Sequence, residues 1–262
     1  MPRRRPWWPR FLPLPAHPSR TDDTSWLLQA RRLVGARNGQ HLWGPLDLTL
    51  HAGQALHVQG ANGSGKTTLL RVLAGLRPPA LGQVQAAPRL RAQGLWWLGH
   101  ALPLADALDA TRNLGQWLAL AGAPDRAAAG IAPLLQQLGV PAGRPLRTLS
   151  AGQRRKAGLA VLALAPRPLW LLDEPFDALD ATGADWLAAL AARHLQAGGA
   201  LVLSAHQALP AGFPAAQALA LGAPAARPIA PPIAPPIAPP AAARSADALP
   251  PAPQPVGRLA WT

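Results

Sequence analysis

The stretch "GANGSGKTT", Gly60 to Thr68, lies between the apolar run "ALHVQG" and the helical pattern "TTLLRVLAGL". It fits the pattern G-x-x-x-x-G-K-[ST], in which glycines let the backbone curl so that successive N–H groups point inward around a phosphate. The N-terminus of the following helix adds a partial positive charge. The stretch therefore predicts a phosphate-binding loop in which Lys66 reaches the β- and γ-phosphates and Thr67 ligates Mg²⁺. The predicted nucleotide-binding residues are Gly60, Asn62, Gly63, Ser64, Gly65, Lys66, Thr67 and Thr68.

Around this loop, apolar runs alternate with helical patterns. Strands are predicted at 55–60, 95–99, 169–173 and 200–206, and helical patterns separate them. Because these runs lack polar–apolar alternation, they predict a mostly parallel sheet covered on both faces, which is an α/β fold. A mostly helical block between about 101 and 167 is predicted to lie beside that sheet as a subdomain.

The composition limits the classes of protein and of binding site that the chain can represent. Hydrophobic residues make up 49% of the 262 residues, and no uninterrupted apolar run reaches the ~20 residues of a membrane-spanning helix. The chain has no cysteine, which excludes disulfides and thiolate metal sites. We predict a disordered, basic, proline-rich arm at 1–22, a folded domain at 23–222, and a disordered Pro/Ala-rich tail at 223–262.

The net charge of +13 is partly carried by residues 1–21, which hold five arginines and no acidic residue. A basic arm suits nucleic acid or an anionic membrane face. Arginine is abundant throughout the chain, however, and this compositional habit explains the same charge. In the tail, "RPIAPPIAPPIAPP" predicts polyproline II, which suits either docking of a partner or a stiff solvated spacer.

An acidic pair follows one of the predicted buried strands. In "LWLLDEP", Asp173 and Glu174 fall at the carboxyl end of the strand, the edge at which doubly wound sheets bind ligands. Asp173 is suited to hold Mg²⁺ through water, and Glu174 to orient and polarise an attacking water. The chain has only two lysines, Lys66 and Lys156, and Glu174 is its only glutamate. Lys66 and Glu174 thus occur at positions where arginine and aspartate are poor substitutes.

A further motif, "LSAGQRRK", runs from Leu149 to Lys156. Ser150 is predicted to cap a helix N-terminus, where its hydroxyl and the first N–H groups can contact a phosphate. The ordered set "GANGSGKTT", "LSAGQ", "LLDEP", "ALD" (178–180) and "SAH" (204–206) resembles the ATPase subunits of ABC transporters. The resemblance covers roughly residues 26 to 222.

This resemblance implies a P-loop NTPase fold of the ABC ATPase type over 23–222, with a mostly parallel sheet, a small antiparallel β part and a helical subdomain. It implies a homodimer in which two subunits enclose two ATP molecules with Mg²⁺, and a separate membrane-spanning permease that the dimer drives. The signature residues would then face the γ-phosphate bound by the other subunit. They are Ser150, Ala151, Gly152 and Gln153.

The resemblance also implies roles for three residues near the acidic pair. Glu174 and His206 would be catalytic, with His206 contacting the γ-phosphate and the attacking water, and Asp180 would couple the two sites across the dimer. Thr67 and Asp173 would hold the metal, Asp173 through water. Ala151 replaces the glycine that is commoner in the family, and we expect it to be tolerated.

Finer matches in "LWWLGH", "LWLLDEPFDALD" and "SAHQAL" resemble the ATPase subunit of the cytochrome c maturation (haem exporter) complex. That likeness implies a peripheral position on the cytoplasmic face of the inner membrane. The alternatives are the ATPase subunit of another ABC transporter, or a soluble nucleotide-switched binding module that uses the arginine-rich arm. The chain lacks the long coiled-coil insertion and the tandem domains of nucleic-acid-related ABC proteins, so no specific nucleic-acid partner is expected.

The chain departs from the family pattern at two places. No adenine-stacking aromatic residue occurs between Val34 and Arg37, which leaves the Arg37 guanidinium, Trp43 or a missing contact as alternatives. Ala101 stands where the subfamily has a glutamine that touches Mg²⁺ or the attacking water, and His100 or an ordered water is the predicted replacement.

His100 follows two tryptophans, in "GLWWLGHALPL", a context that also suggests a haem ligand. Trp96 and Trp97 instead indicate a strand with its two indoles on opposite faces of the sheet. His100 then falls at the end of that strand that faces the nucleotide.

Overall fold

The computed structural model describes residues 26–222, except for the side chains of 125–129. The predicted arm at 1–22 and tail at 223–262 lie outside the described residues. The predicted domain at 23–222 begins with a strand at Trp26.

Five parallel strands form the central sheet, in the order β5-β6-β7-β3-β8. Its strands are β3 (Ala55–Gln59), β5 (Leu95–Leu98), β6 (Leu169–Asp173), β7 (Ala200–Ser204) and β8 (Gln217–Ala220). All residues of β6 and β7 are buried, because helices or a second sheet cover both faces. The four strands predicted from apolar runs are all present, whereas β8 was not predicted.

Three antiparallel strands form a second sheet, in the order β2-β1-β4. They are β1 (Trp26–Arg37), β2 (Gln40–His51) and β4 (Leu81–Ala86). Asn38 and Gly39 join β1 to β2 with φ of 51° and 76°, the pair of left-handed conformations that a tight hairpin turn requires. This sheet is the small antiparallel part that the resemblance implied.

Seven α-helices complete the described part of the chain. They are α1 (Lys66–Leu73), α2 (Pro88–Gln93), α3 (Ala110–Leu120), α4 (Asp125–Gln137), α5 (Ala151–Leu159), α6 (Val161–Leu164) and α7 (Ala181–Gln196), with a 3₁₀ helix at Leu146–Thr148. The helix predicted to begin after Ser150 is α5, and a turn at Ala160 separates it from α6. No helix among residues 26–222 has both the length and the apolar character needed to cross a membrane.

The central sheet separates two apolar cores. Alternate residues along each strand enter opposite cores, so that Trp170 and Leu172 pack with α7 and the α3–α6 block, while Leu169 and Leu171 pack with α1 and the antiparallel sheet. Trp96 and Trp97 likewise pack against different cores, as predicted, although both are half-buried. The helical block therefore shares its core with one face of the sheet.

One buried histidine, His57, and one half-buried histidine, His194, make folding sensitive to pH. His57 on β3 accepts a hydrogen bond from Gln59 Nε2, and His194 on α7 stacks on Trp170 with ring centroids 3.7 Å apart while its Nε2 donates to the Ala200 carbonyl. Burial lowers the pKa of both imidazoles from the ordinary value of 6.5. The unfolded chain therefore binds more protons than the folded chain as the pH falls below 6.5.

We expect the free energy of unfolding to decrease as the pH falls below about 6.5, and His194→Phe to make that decrease shallower. Phenylalanine preserves the stacking on Trp170 but does not titrate, and it loses the hydrogen bond to Ala200, which costs about 1 kcal/mol at all pH values. Urea unfolding of both proteins between pH 8 and pH 5 measures the two slopes. Parallel curves would contradict the role of His194.

Candidate functional site

The loop Gly60–Thr68 leads from β3 into α1 as predicted. Gly60, Gly63 and Gly65 have φ of 153°, 81° and 91°, and Gly65 is the N-terminal cap of the helix. The Lys66 side chain is buried, and its Nζ donates to the Gly60 and Ala61 carbonyls at 2.8 and 3.2 Å. Its ammonium group thus lies across the loop, close to the N-terminus of α1.

The remaining residues of the loop differ in exposure. Asn62 and Gly63 are exposed, whereas Ser64, Thr67 and Thr68 are half-buried. Ser64 closes a turn by donating its N–H to the Ala61 carbonyl at 3.1 Å. The exposed residues are therefore at the outer bend of the loop, and the helical end carries the more enclosed side chains.

Trp43 of β2 supports this loop from beneath, which the sequence did not indicate. Its indole Nε1 donates to the Gly65 carbonyl at 3.2 Å, and only 2% of the residue is exposed. The suggestion that Trp43 stacks on adenine is wrong, because the ring is fixed in the core under the loop. Arg37 at the end of β1 is exposed.

The Asp173 carboxylate joins three elements at the carboxyl edge of the sheet. Thr67 Oγ1 donates to Oδ2 at 2.8 Å, and Ser204 Oγ donates to Oδ1 at 2.7 Å. Asp173 is 2% exposed, so these hydrogen bonds compensate a charge removed from water. The hydroxyl and carboxylate oxygens of Thr67 and Asp173 are the hard ligands that Mg²⁺ takes.

Glu174 follows Asp173 and turns towards two imidazoles. His206 Nε2 contacts Oε1 directly, and His100 Nδ1 lies 3.6 Å from Oε2 and 3.7 Å from Asp177 Oδ2. Burial raises the pKa of the Glu174 carboxyl, Asp177 adds to that effect through a hydrogen bond, and His206 opposes it. A carboxylate with a raised pKa beside an imidazole is suited to accept a proton from water.

His100 is brought to this cluster by the segment after β5. Its side chain is 73% exposed and faces the carboxylates, whereas Ala101 offers no polar group. The three ligand atoms of His100, Glu174 and Asp177 lie within 4.8 Å of one another. His100 therefore lies at the carboxyl end of β5, beside the Glu174 carboxylate, and its orientation towards a nucleotide stays a prediction.

The signature motif begins α5. Ser150 Oγ accepts the Gln153 N–H at 3.2 Å, and the Gln153 side chain accepts the Ser150 N–H at 3.2 Å, which forms a capping box. Ala151 is exposed, and a Cβ at Gly152 would lie 2.6 Å from the Ala178 carbonyl oxygen. Gly152 is therefore packed against the segment that precedes Asp180.

Asp180 caps α7 and pairs with the second lysine. Its carboxylate accepts the Gly183 N–H at 2.9 Å and lies 3.0 Å from Lys156 Nζ, and these donors lower its pKa. A cleft of about 320 Å³ beside it is lined by Glu174, Asp177 and His206 among others. The two halves of the predicted site, the catalytic carboxylate and the coupling aspartate, thus border one cleft.

The sequence profile of the ABC transporter family matches residues 44–177. A cytochrome c biogenesis ATP-binding export protein CcmA of Pseudomonas syringae pv. syringae (strain B728a) is 43% identical over 199 residues, which cover 71% of this chain and 92% of the relative. The CcmA protein of Paracoccus denitrificans (strain Pd 1222) is 43% identical over 196 residues, which cover 75% of this chain and 89% of the relative.

The chain is a CcmA-like member of the ABC transporter family. It is an ATP-binding, ATP-hydrolysing subunit of this family, which confirms the resemblance found in the sequence. A solved dimeric ATP-binding cassette in a post-hydrolysis state, bound to ADP and Pi, matches this ABC subunit with a TM-score of 0.59 at 20% identity. The match covers 69% of this chain and 88% of that structure and supports the same fold.

The contact of Gly152 with Ala178 gives a paired prediction for the signature motif of this ABC ATPase. We expect Gly152→Ala to lower ATPase activity about 10- to 100-fold, because the added methyl displaces α5 from the segment before Asp180. Overpacking at this point should also cost about 1–3 kcal/mol of stability. Steady-state hydrolysis and thermal unfolding measure the two effects.

Ala151→Gly is the matched control, since Ala151 is exposed at the first position of the helix. It should keep activity within about twofold and lose no more than the ~1 kcal/mol by which glycine weakens a helix. Equal effects of the two substitutions would show that the close approach at Gly152 is unimportant.

Proposed function

We propose that this chain is the ATP-hydrolysing subunit of an export complex for cytochrome c biogenesis, with haem export as the transport that it powers. Relatives named as cytochrome c biogenesis ATP-binding export proteins are 42–45% identical, and the two described above are matched over 92% and 89% of their length. The observation that best supports ATP hydrolysis is that five side chains lie together at one edge of the parallel sheet. They are Lys66, Thr67, Asp173, Glu174 and His206.

The loop residues account for binding of the triphosphate. The backbone N–H groups of Gly60–Thr68, the N-terminus of α1 and the Lys66 ammonium present positive charge to phosphate oxygens. Thr67 and Asp173 would hold Mg²⁺, Asp173 through water, and the ion would supply Lewis-acid stabilisation of charge on the phosphates. The buried Lys66 ammonium would stabilise the charge that develops as the γ-phosphate leaves.

Hydrolysis needs a group that accepts a proton from the attacking water. The Glu174 carboxylate takes this role, because its side chain is only 16% exposed and its raised pKa increases its basicity. His206 contacts the same carboxylate and would orient both it and the water. His100, 3.6 Å from Oε2, supplies the polar group that Ala101 lacks.

Two copies of the subunit would complete each other's sites. Ser150, Ala151, Gly152 and Gln153 of one subunit would face the γ-phosphate bound by the other, since Ser150 presents an exposed N-terminus of α5. Asp180 would couple the sites across the dimer through the cleft that it shares with Glu174 and His206. The dimeric, ADP- and Pi-bound neighbour supports this assembly.

A membrane-spanning permease is the proposed partner, because hydrolysis by this subunit needs a separate protein in which to drive export. The subunit would then be peripheral, on the cytoplasmic face of the inner membrane. No specific nucleic-acid partner is proposed.

Glu174→Gln tests the base. We expect turnover to fall at least about 100-fold, since glutamine keeps the shape of the side chain but cannot accept the proton, while ATP affinity stays within a few-fold. In the presence of ATP the variant should elute as a dimer in size-exclusion chromatography. Lys66→Ala is the comparison and should lose nucleotide affinity. Turnover at the wild-type rate in Glu174→Gln would refute the assignment.

Affinity purification of the full chain from membranes tests the partner. We expect an integral permease of cytochrome c biogenesis to co-purify and to stimulate ATP hydrolysis when the two are reconstituted. Co-purification of a permease of another transport system would replace the proposed cargo and keep the ATPase role. Recovery of the chain only from the soluble fraction, without a membrane protein, would favour a soluble switch.

A further inference from the structure

Arg155 of α5 is buried beneath the carboxyl edge of the central sheet, and its whole guanidinium group is engaged in hydrogen bonds. It is 6% exposed, and each of its five N–H groups has an acceptor. The acceptors are the carbonyl oxygens of Pro175 (3.3 Å from Nε), Gly99 and His100 (3.0 and 3.2 Å from one terminal nitrogen), and Asp173 and Glu174 (3.0 and 2.6 Å from the other).

These five carbonyl groups belong to two separate segments of the chain. Gly99 and His100 follow β5, whereas Asp173 ends β6 and Glu174 and Pro175 follow it. The two segments carry the side chains that face each other across the site, His100 and Glu174. One side chain therefore binds the backbone of both, directly behind the carboxylate cluster.

Burial of the Arg155 cation is energetically costly, which indicates that its contacts serve something other than stability. Burial lowers the pKa of Arg155, and the carboxylates of Asp177, Asp173 and Glu174 only partly offset that effect. A cation withdrawn from water and paired with neutral carbonyls contributes less to stability than a packed apolar side chain of similar size. What the arrangement does provide is a fixed geometry, because the planar guanidinium presents its donors in set directions.

The Glu174 backbone needs such support. Its φ is 52°, a left-handed conformation that a residue with a side chain adopts at a cost and keeps only where its surroundings enforce it. Arg155 helps to enforce this conformation from one side, because it donates a hydrogen bond to the Glu174 carbonyl. Ser204 binds the Glu174 N–H from the other side at 3.1 Å.

We infer that Arg155 is a positioning residue that fixes the separation of the His100 and Glu174 side chains and ties the signature turn at Ser150–Gln153 to the hydrolytic carboxylate. Arg155 lies on the same helix as the signature turn, within two turns of its N-terminus. A displacement of that turn by a second subunit would therefore be transmitted to the backbone of Glu174. This inference rests on the proposed role of Glu174 as the base.

Arg155→Lys tests it, because lysine keeps the charge but cannot reach five carbonyls with one ammonium group. We expect kcat for ATP to fall about 10- to 100-fold while KM and nucleotide affinity stay within about threefold. Arg154→Lys, the half-buried neighbour on the same helix, is the matched control and should keep wild-type kinetics.

The split between kcat and KM provides a reading that a purely structural role does not change. A loss of stability alone lowers the amount of folded enzyme and leaves kcat per folded active site unchanged, whereas a displaced Glu174 segment lowers kcat per folded active site. A lower melting temperature with unchanged kcat per folded active site would overturn the inference.

A second variant covers the case in which Arg155→Lys does not fold. Arg155→Gln, purified with ATP to stabilise the folded state, should recover kcat when methylguanidinium is added, and the recovery should saturate. Absence of recovery in folded Arg155→Gln would overturn the positioning role. Glu174→Gln, assayed in parallel, separates the two proposals. Wild-type turnover in Glu174→Gln would refute the role of Glu174 as the base. Lost turnover in Glu174→Gln together with wild-type kinetics in Arg155→Lys would refute only the positioning role of Arg155.

Discussion

The buried carboxylate of Asp173 is the constraint on which the site depends. It ends β6, and it accepts hydrogen bonds from Thr67 at the start of α1 and from Ser204 at the end of β7. Because a charge with 2% exposure must be compensated, these hydroxyls cannot move away without a large penalty. The phosphate loop, the acidic pair and the segment that leads to His206 are therefore held in one register, before any nucleotide binds.

Much of this arrangement was predictable because it depends on short stretches of sequence. The residues of β6 (169–173) and β7 (200–204) are apolar at every position but the last, as expected of strands buried on both faces, and the structure places the polar residue of each at the carboxyl edge. The capping box at Ser150 is likewise a local pattern. The roles of Glu174 and His206 remain predictions, although their side chains meet as those roles require.

The parts that were not predicted depend on contacts between distant residues or on weak patterns. The burial of β1 does not alternate, because the chain is irregular around Arg32, so the strand has no clear period. The Asn38-Gly39 pair between β1 and β2 is the one local signal of this hairpin. Trp43 reaches Gly65 across 22 positions, and its sequence gives no hint of that contact. The role of Arg155 could not be predicted for another reason. Arginine is the ordinary cation of this chain, so an arginine at this position does not by itself indicate a special role.

The two neighbouring cations of α5 show how chemistry overrides that compositional habit. Arg155 binds five carbonyls, a task for which a forked guanidinium is suited. Lys156 instead reaches Asp180 through a narrow passage, where a Cβ at Gly183 would already lie 3.3 Å from the lysine Cδ and 2.8 Å from Asp180 Oδ1. A broader guanidinium would crowd both groups, whereas a compact ammonium fits against one carboxylate oxygen. The signature helix is thereby joined to the Glu174 segment by one residue and to the start of α7 by the next, so that the turn at Ser150 cannot shift without affecting both.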